Sequence, residues 1–283
     1  VLGGMVFSIL ALSGFEAPAP LAEETKLPNR LIFRAIFLSL LIVGIFYIFM
    51  AYASAIGWGT NNMAAFASAS TNPYYTLAQK FWGIGWVLVL FAIINSTLAV
   101  GIACTNAATR VMYTMGQAGT LPSALGKIHP VHKTPYNAVH VEQIFQIVSF
   151  MIIGIFFGAS TIFGFLGTIT TLAVIVLYIM ANIELTAFVR REHPTDFNIL
   201  HHVIVPSIGT LLLIPVLYIT VYPVPAYPIN LTPYIFIGIM IIGFVVMLII
   251  GARNPSALNQ ESTMLIRTVE NATEEELREP QIG

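Results

Sequence analysis

Four stretches of this chain, Ala35 to Gln79, Phe81 to Thr109, Gln143 to Ile183 and Val203 to Ala252, contain no Asp, Glu, Lys or Arg. A water-soluble domain needs charge over its surface, whereas a helix of about 20 apolar residues spans the hydrocarbon core of a bilayer. Composition agrees, with 57% of the 283 residues hydrophobic and 9% charged, against roughly 25% charged in soluble domains. The expected fold class is therefore an all-α multi-pass membrane protein.

Apolar runs and breakers put membrane segments at Val1 to Leu12, Leu31 to Ile56, Trp82 to about Gly116, Val139 to Phe157, Ile162 to Phe188, Val203 to Tyr222 and Tyr234 to Ala252. The first covers only about 18 Å, so it is expected to continue upstream or to belong to a broken helix. Val1 is no initiator, and neither a basic flank nor a small-residue cleavage site accompanies it, which reads as a truncated chain rather than a signal peptide. The expected organisation is a transmembrane domain over residues 1–252, with a broken helix at 1–27 and six spans, then a tail at 253–283. In that tail Thr273 and Glu276 have the spacing of a capping box.

Loop charge orients the spans. Of the 12 Lys and Arg residues only Lys80 falls in the second, fourth or sixth connection. The positive-inside rule then makes the other connections and the C-terminus cytoplasmic and the location a cell membrane. Gly57 to Gln79 reads as a polar outer connection, Gly158 to Thr161 as a tight turn, and Tyr222 to Pro233 as an interfacial stretch.

Several classes of function are excluded. A net charge of −1 without a basic cluster gives no footprint for nucleic acid. Cys104 stands alone, which excludes a disulfide framework or a cysteine zinc site within the chain, and no phosphate-cradling glycine motif occurs. No cofactor is expected. His129, His132, His140, His201 and His202 lack companion carboxylates or cysteines and read as interfacial residues, not metal ligands. No span carries a Ser/His, paired-Asp or HExxH arrangement, so an enzyme is not expected.

The run from Ala11 to Glu24 interrupts a membrane-depth segment with Gly14, Pro18 and Pro20. Such a break frees backbone groups, which a bilayer tolerates only where protein, water or a solute satisfies them. Two readings stand: a kinked packing helix, or half of a solute site with a half-helix N-terminus facing a carboxylate. Glu16 sharpens the second, since a carboxylate at membrane depth costs about 2.5–3.5 kcal/mol and usually marks a functional group. It is a candidate proton-coupling residue; the competing reading pairs it with Lys26 and Arg30 at the interface.

On the third segment, Trp82 to about Gly116, Asn95, Asn106, Thr109 and Tyr113 fall on one narrow helical face. Interhelical hydrogen bonding competes there with a cavity lined by Asn106 and Cys104. Weaker signals are the hydroxyls Thr168, Thr170 and Thr171, the spacing of Gly154 and Gly158, a prospective ion pair of Glu184 with Arg190 or Arg191, and the glycosylation triplet Asn230-Leu231-Thr232.

Two blocks resemble a known family. Gly14-Phe15-Glu16, Glu23-Glu24, Pro28, Arg30 and Ala35-Ile36 resemble the sixth-helix pattern of the amino acid–polyamine–organocation permeases. Asn106 to Leu121-Pro122, followed by His129-Pro130 and Thr134-Pro135, resembles that family's eighth helix and following loop. The resemblance implies the second half of a five-plus-five inverted-repeat, leucine-transporter-like fold, beginning at the sixth helix, plus two trailing helices. It implies secondary active transport of amino acids or related amines, by proton-coupled symport or exchange, with substrate, lipid bilayer and protons as partners. The sites it implies are Ala11, Leu12, Ser13, Gly14 and Phe15 with Cys104 and Asn106 for substrate, and Glu16 for the proton. A transporter-like sensor or interaction subunit without turnover is the alternative. Residues 1–283 alone are expected not to transport, because half of the substrate site would be absent. The chain departs from the family at Leu10, where members often carry an aromatic gate that Phe7 or Phe15 would have to replace, and at Gln117-Ala118-Gly119, where an acidic pair is common.

Overall fold

The computed structural model describes residues 2–16, 28–67, 69, 72–192, 194–195 and 197–253. Pro18, Pro20, Glu23, Glu24, Lys26 and the tail with Thr273 and Glu276 lie outside the described residues. The protein is an all-α multi-pass membrane protein, with six helical stretches long and apolar enough to cross a bilayer. No strand occurs among the described residues.

The helices are α1 (Leu2–Leu12), α2 (Pro28–Trp58), α3 (Met63–Ala67), α4 (Pro73–Trp82), α5 (Trp86–Ala118), α6 (Tyr136–Phe157), α7 (Ala159–Glu192), α8 (Val205–Val221) and α9 (Thr232–Arg253). They form two compact units: residues 1–13 with 144–256, and residues 14–143 with 257–283.

In the first unit α7 is the hub, touching α1, α8 and α9. Its contacts rest on small residues and hydroxyls. A Cβ on Gly167 would stand 2.9 Å from Leu10 Cδ2, so the missing side chain is what lets α1 lie against α7. Thr168 Oγ1 donates to Gly164 O at 2.7 Å, and Thr171 Oγ1 to Gly167 O at 2.9 Å, which satisfies buried hydroxyls where no water can. Ile175, Val216, Thr171 and Thr232 are fully buried around this hub. Asn182 Nδ2 donates to Thr210 Oγ1 at 3.1 Å and ties α7 to α8.

Two boundaries differ from the sequence reading. The turn expected at Gly158 to Thr161 takes one residue: Gly158, at φ +85°, donates to Gly154 O, and α7 begins at Ala159. Of the pair Gly154 and Gly158, only Gly154 meets a side chain, Ile162 Cδ1 at 3.3 Å from its ideal Cβ. The segment expected from Val203 starts at Leu200, because a wide turn over Leu200–Ile204 feeds into α8 and is pinned by Asn198 N donating to His202 Nδ1 at 3.0 Å.

In the second unit the polar connection folds. Asn72 Oδ1 accepts from Tyr74 N at 3.0 Å and Pro73 opens the helix, so α4 forms where a loop was expected. Lys80 Nζ donates to Gly57 O at 3.1 Å, meeting a carbonyl at the C-terminus of α2, where the helix dipole favours a cation. Helix α5 ends at Gly119, at φ +80°, and Thr120 N and Leu121 N both return to Met115 O. The loop then folds back until an added Cβ on Gly116 would stand 2.5 Å from Gly126 N.

Candidate functional site

Helix α1 stops at Leu12, before the first proline, and Gly14 at φ +106° ends it. Ser13 N donates to Ile9 O at 2.8 Å and Ser13 Oγ donates to Leu10 O at 2.8 Å. With its proton spent on the helix, the half-buried Ser13 oxygen keeps only acceptor capacity, at the helix end that carries the negative pole of the dipole. The chemistry of this end suits an ammonium group.

Glu16 is half-buried, and its Oε2 accepts from Gly14 N at 2.9 Å. The carboxylate thus closes the break locally, occupying an amide that the sequence reading offered to a solute. The half-helix N-terminus expected to hold a substrate carboxylate falls in residues 17–27, outside those described.

The division into units runs between Ser13 and Gly14. Ala11, exposed, and Leu12 and Ser13, half-buried, belong to the first unit; Gly14, Phe15, Glu16, Cys104 and Asn106 belong to the second. Cys104, Asn106 and Asn95 are exposed on α5, so this polar face presents its amides outward. Farther along the same face, Thr109 is buried and donates to Thr105 O at 2.8 Å, and Tyr113 Oη accepts from Gln117 Nε2 at 2.6 Å. The stripe is therefore split, with intrahelical bonding at its Thr109 end and open amides at its Asn95 and Asn106 end.

The sequence reading missed a polar pair on α6. Gln143 Nε2 donates both to Thr105 Oγ1 of α5, at 3.1 Å, and to Glu142 Oε2, at 2.9 Å, and Glu142 is buried at 9% exposure. The available signal was an acidic residue beside an amide, Glu142-Gln143, in the second turn of a predominantly apolar span.

Other candidates resolve locally. Leu10, at the position of the family's aromatic gate, packs against Gly167, and Phe7 is 52% exposed. Thr168 and Thr171 are buried packing hydroxyls, while Thr170 is exposed. Arg191 Nε pairs with Glu192 Oε1 at 3.3 Å, while Glu184 is exposed and, among the described residues, makes no ion pair with Arg190 or Arg191. In the glycosylation triplet Asn230 is half-buried, with its Oδ1 buried, and Thr232 is wholly buried. His129 Nδ1 accepts from Val131 N and His132 N, each at 3.2 Å, a loop-closing role. A cavity of about 800 Å3 lies between α2, α4 and α5, and none of the expected site residues lines it.

The model of a family described as amino acid permease matches residues 1–254. The chain is 37% identical to the branched-chain amino acid permease BcaP of Bacillus subtilis over 48% of this chain and 30% of that protein. It is 30% identical to the glutamate/serine transporter AimA of the same organism over 62% of this chain and 31% of that protein. With the low-affinity putrescine importer PlaP of Escherichia coli it shares 34% identity over 48% of this chain and 30% of that protein. The chain thus spans about a third of the length of these curated relatives. No solved structure matches.

Proposed function

The chain belongs to the amino acid permease family, and from that membership we propose that the intact protein is a secondary transporter of amino acids or related amines. It works in a cell membrane, with the C-terminus cytoplasmic, by proton-coupled symport or exchange. The observation that carries the reading is the family match over residues 1–254, which takes in both the α1 break and the polar face of α5. The named substrates of the branched-chain amino acid permease and the putrescine importer have the ammonium group as shared chemistry.

In this reading residues 1–252 form the permease domain, the second half of an inverted-repeat fold with two trailing helices, and 253–283 the cytoplasmic tail. The acceptors at the end of α1 receive the substrate ammonium. Ala11, Leu12, Ser13, Gly14 and Phe15 are the substrate-binding candidates at the break, and Cys104 and Asn106 those on α5. Glu16 exchanges the coupling proton: when protonated its carboxyl becomes a poorer acceptor for Gly14 N–H, which links proton load to the backbone at the break.

Uptake of radiolabelled leucine, glutamate, serine and putrescine into vesicles containing the intact protein, with and without a proton gradient, tests the reading. Failure with every one of these would favour a sensor without turnover. Glu16→Gln preserves an acceptor for Gly14 N–H but loses the titrating group, so it should flatten the pH dependence of uptake while exchange persists. Glu16→Ala, which also loses the acceptor, should lower exchange as well. Orientation is checked in a Cys104→Ala background: an impermeant thiol reagent applied outside should label a cysteine at Ala226 and spare one at Ser123.

A further inference from the structure

We propose that the cavity between α2, α4 and α5 seats an acyl chain of an anionic phospholipid from the leaflet beside α4, with the lipid phosphate at Lys80. The inference stands apart from transport, since it needs only that the chain spans a bilayer.

The cavity, about 800 Å3, lies in the size range of ligand sites, and its walls carry no charged residue. Met50 and Ala53 of α2, Leu77 and Phe81 of α4, and Leu88 and Ala92 of α5 set its apolar character. Two of its lining hydroxyls are already spent on their own helices: Ser54 Oγ donates to Met50 O at 2.6 Å and Thr97 Oγ1 to Ile93 O at 2.8 Å. An amino acid zwitterion would find no opposite charge for either of its ends in such walls. A hydrocarbon chain needs none.

The rim supplies the opposite character. Lys80, the one cation of the outer connections, is exposed, with its Nζ 3.1 Å from Gly57 O and 5.1 Å from the centre of the Phe81 ring, and both Gly57 and Phe81 line the cavity. One of the three ammonium donors is used by Gly57, which leaves donors for a phosphate. Trp58, Phe66 and Tyr74 stack edge to face around this end of α2, and Tyr75 meets Trp86 at the start of α5. Aromatic residues with polar edges collect at headgroup depth, so the cation sits level with phosphates and the cavity level with the acyl chains below them. An amphiphile with an anionic head and an apolar tail is the molecule that fits both.

The test uses the full chain in vesicles of phosphatidylcholine containing a small fraction of phosphatidylglycerol whose acyl chain carries a diazirine. After illumination, adducts should concentrate on the peptides holding Ala53, Leu77 and Ala92. Ala92→Trp, which fills the cavity, should cut that labelling about tenfold while leaving labelling of α9 unchanged; Ala53→Phe serves the same purpose should the first variant fail to insert. Lys80→Gln should reduce the preference for phosphatidylglycerol over the corresponding phosphatidylcholine probe about fivefold. Glycerol 3-phosphate, a headgroup without a tail, should not compete. Adducts spread evenly over all spans, labelling indifferent to both filling variants, absence of label because other protein occupies the space, or competition by glycerol 3-phosphate would each overturn the proposal.

Discussion

Helices α2 and α7 look alike in sequence, with 31 and 34 residues and long uncharged middles, yet they are used in opposite ways. In the most apolar 18-residue stretch of α7, 39% of positions are buried; in that of α2, none is. The buried helix is the less greasy one. It carries Gly164, Gly167, Thr168 and Thr171 at its contacts, whereas α2 carries Phe37, Phe46, Tyr47 and Phe49, all exposed. In water the large apolar side chains would be the buried ones. In a bilayer they gain nothing by leaving lipid, and close approach through small residues and self-satisfied hydroxyls decides which faces pack.

The strongest way to break this comparison lies within the open unit, at the spot where α5 is as tightly packed as α7. A Cβ on Gly116 would meet the backbone of Gly126 and Leu125, which cannot yield as a side-chain tip would. Gly116→Val should cost more than about 3 kcal/mol and remove the folded species from size-exclusion profiles. Gly101→Val, on the same helix with nothing within 4 Å of its Cβ, should leave the profile unchanged. If the two variants behaved alike, close approach would not be what organises these helices.

The next test truncates the same side chain in both settings. Ile175 on α7 is fully buried and Ile45 on α2 is 61% exposed. Ile175→Ala should lower stability in lipid by about 2–5 kcal/mol, because the vacated space is walled by protein. Ile45→Ala should cost less than about 0.5 kcal/mol, because lipid refills its place. Thermal or denaturant unfolding in the same lipid mixture reads both, and equal losses would mean that α2 is covered as closely as α7.

The same physics explains what could be seen in the sequence. Apolar length is written plainly, so the spans from Leu31, Trp82, Val139, Ile162, Val203 and Tyr234 all correspond to helices. Boundaries moved where a local device carries the backbone past the apolar run, as with the wide turn at Leu200–Ile204 before α8 or the Asn72-Pro73 opening of α4. The break at Ser13 to Glu16 was legible because Gly14 needs a positive φ that other residues resist. That the Glu16 side chain caps the Gly14 amide was not, since it depends on a rotamer and a turn rather than on spacing. Gln143 and Thr105 lie 38 positions apart, and their meeting follows from helix packing that hydropathy does not encode.

The finest distinction between the units concerns one interhelical bond between side chains in each. Asn182 to Thr210 joins neutral groups, and such bonds in a membrane contribute about 0.6 kcal/mol, because the separated helices find other partners. Gln143 serves two acceptors at once, the Thr105 hydroxyl and the buried Glu142 carboxylate, and bonds to charged groups contribute about 1.5–3 kcal/mol. Gln143→Leu should therefore cost more than Asn182→Leu, by about 1 kcal/mol. Double-mutant cycles with Thr105→Val and Thr210→Val isolate the interhelical part of each. If the carboxylate is the source of the excess, Glu142→Gln should bring the cost of Gln143→Leu down to that of Asn182→Leu, while the Gln143–Thr105 coupling persists. Equal costs in the unmodified background would show that Gln143 works only as a bridge between α5 and α6, and the two units would then be held by bonds of one kind.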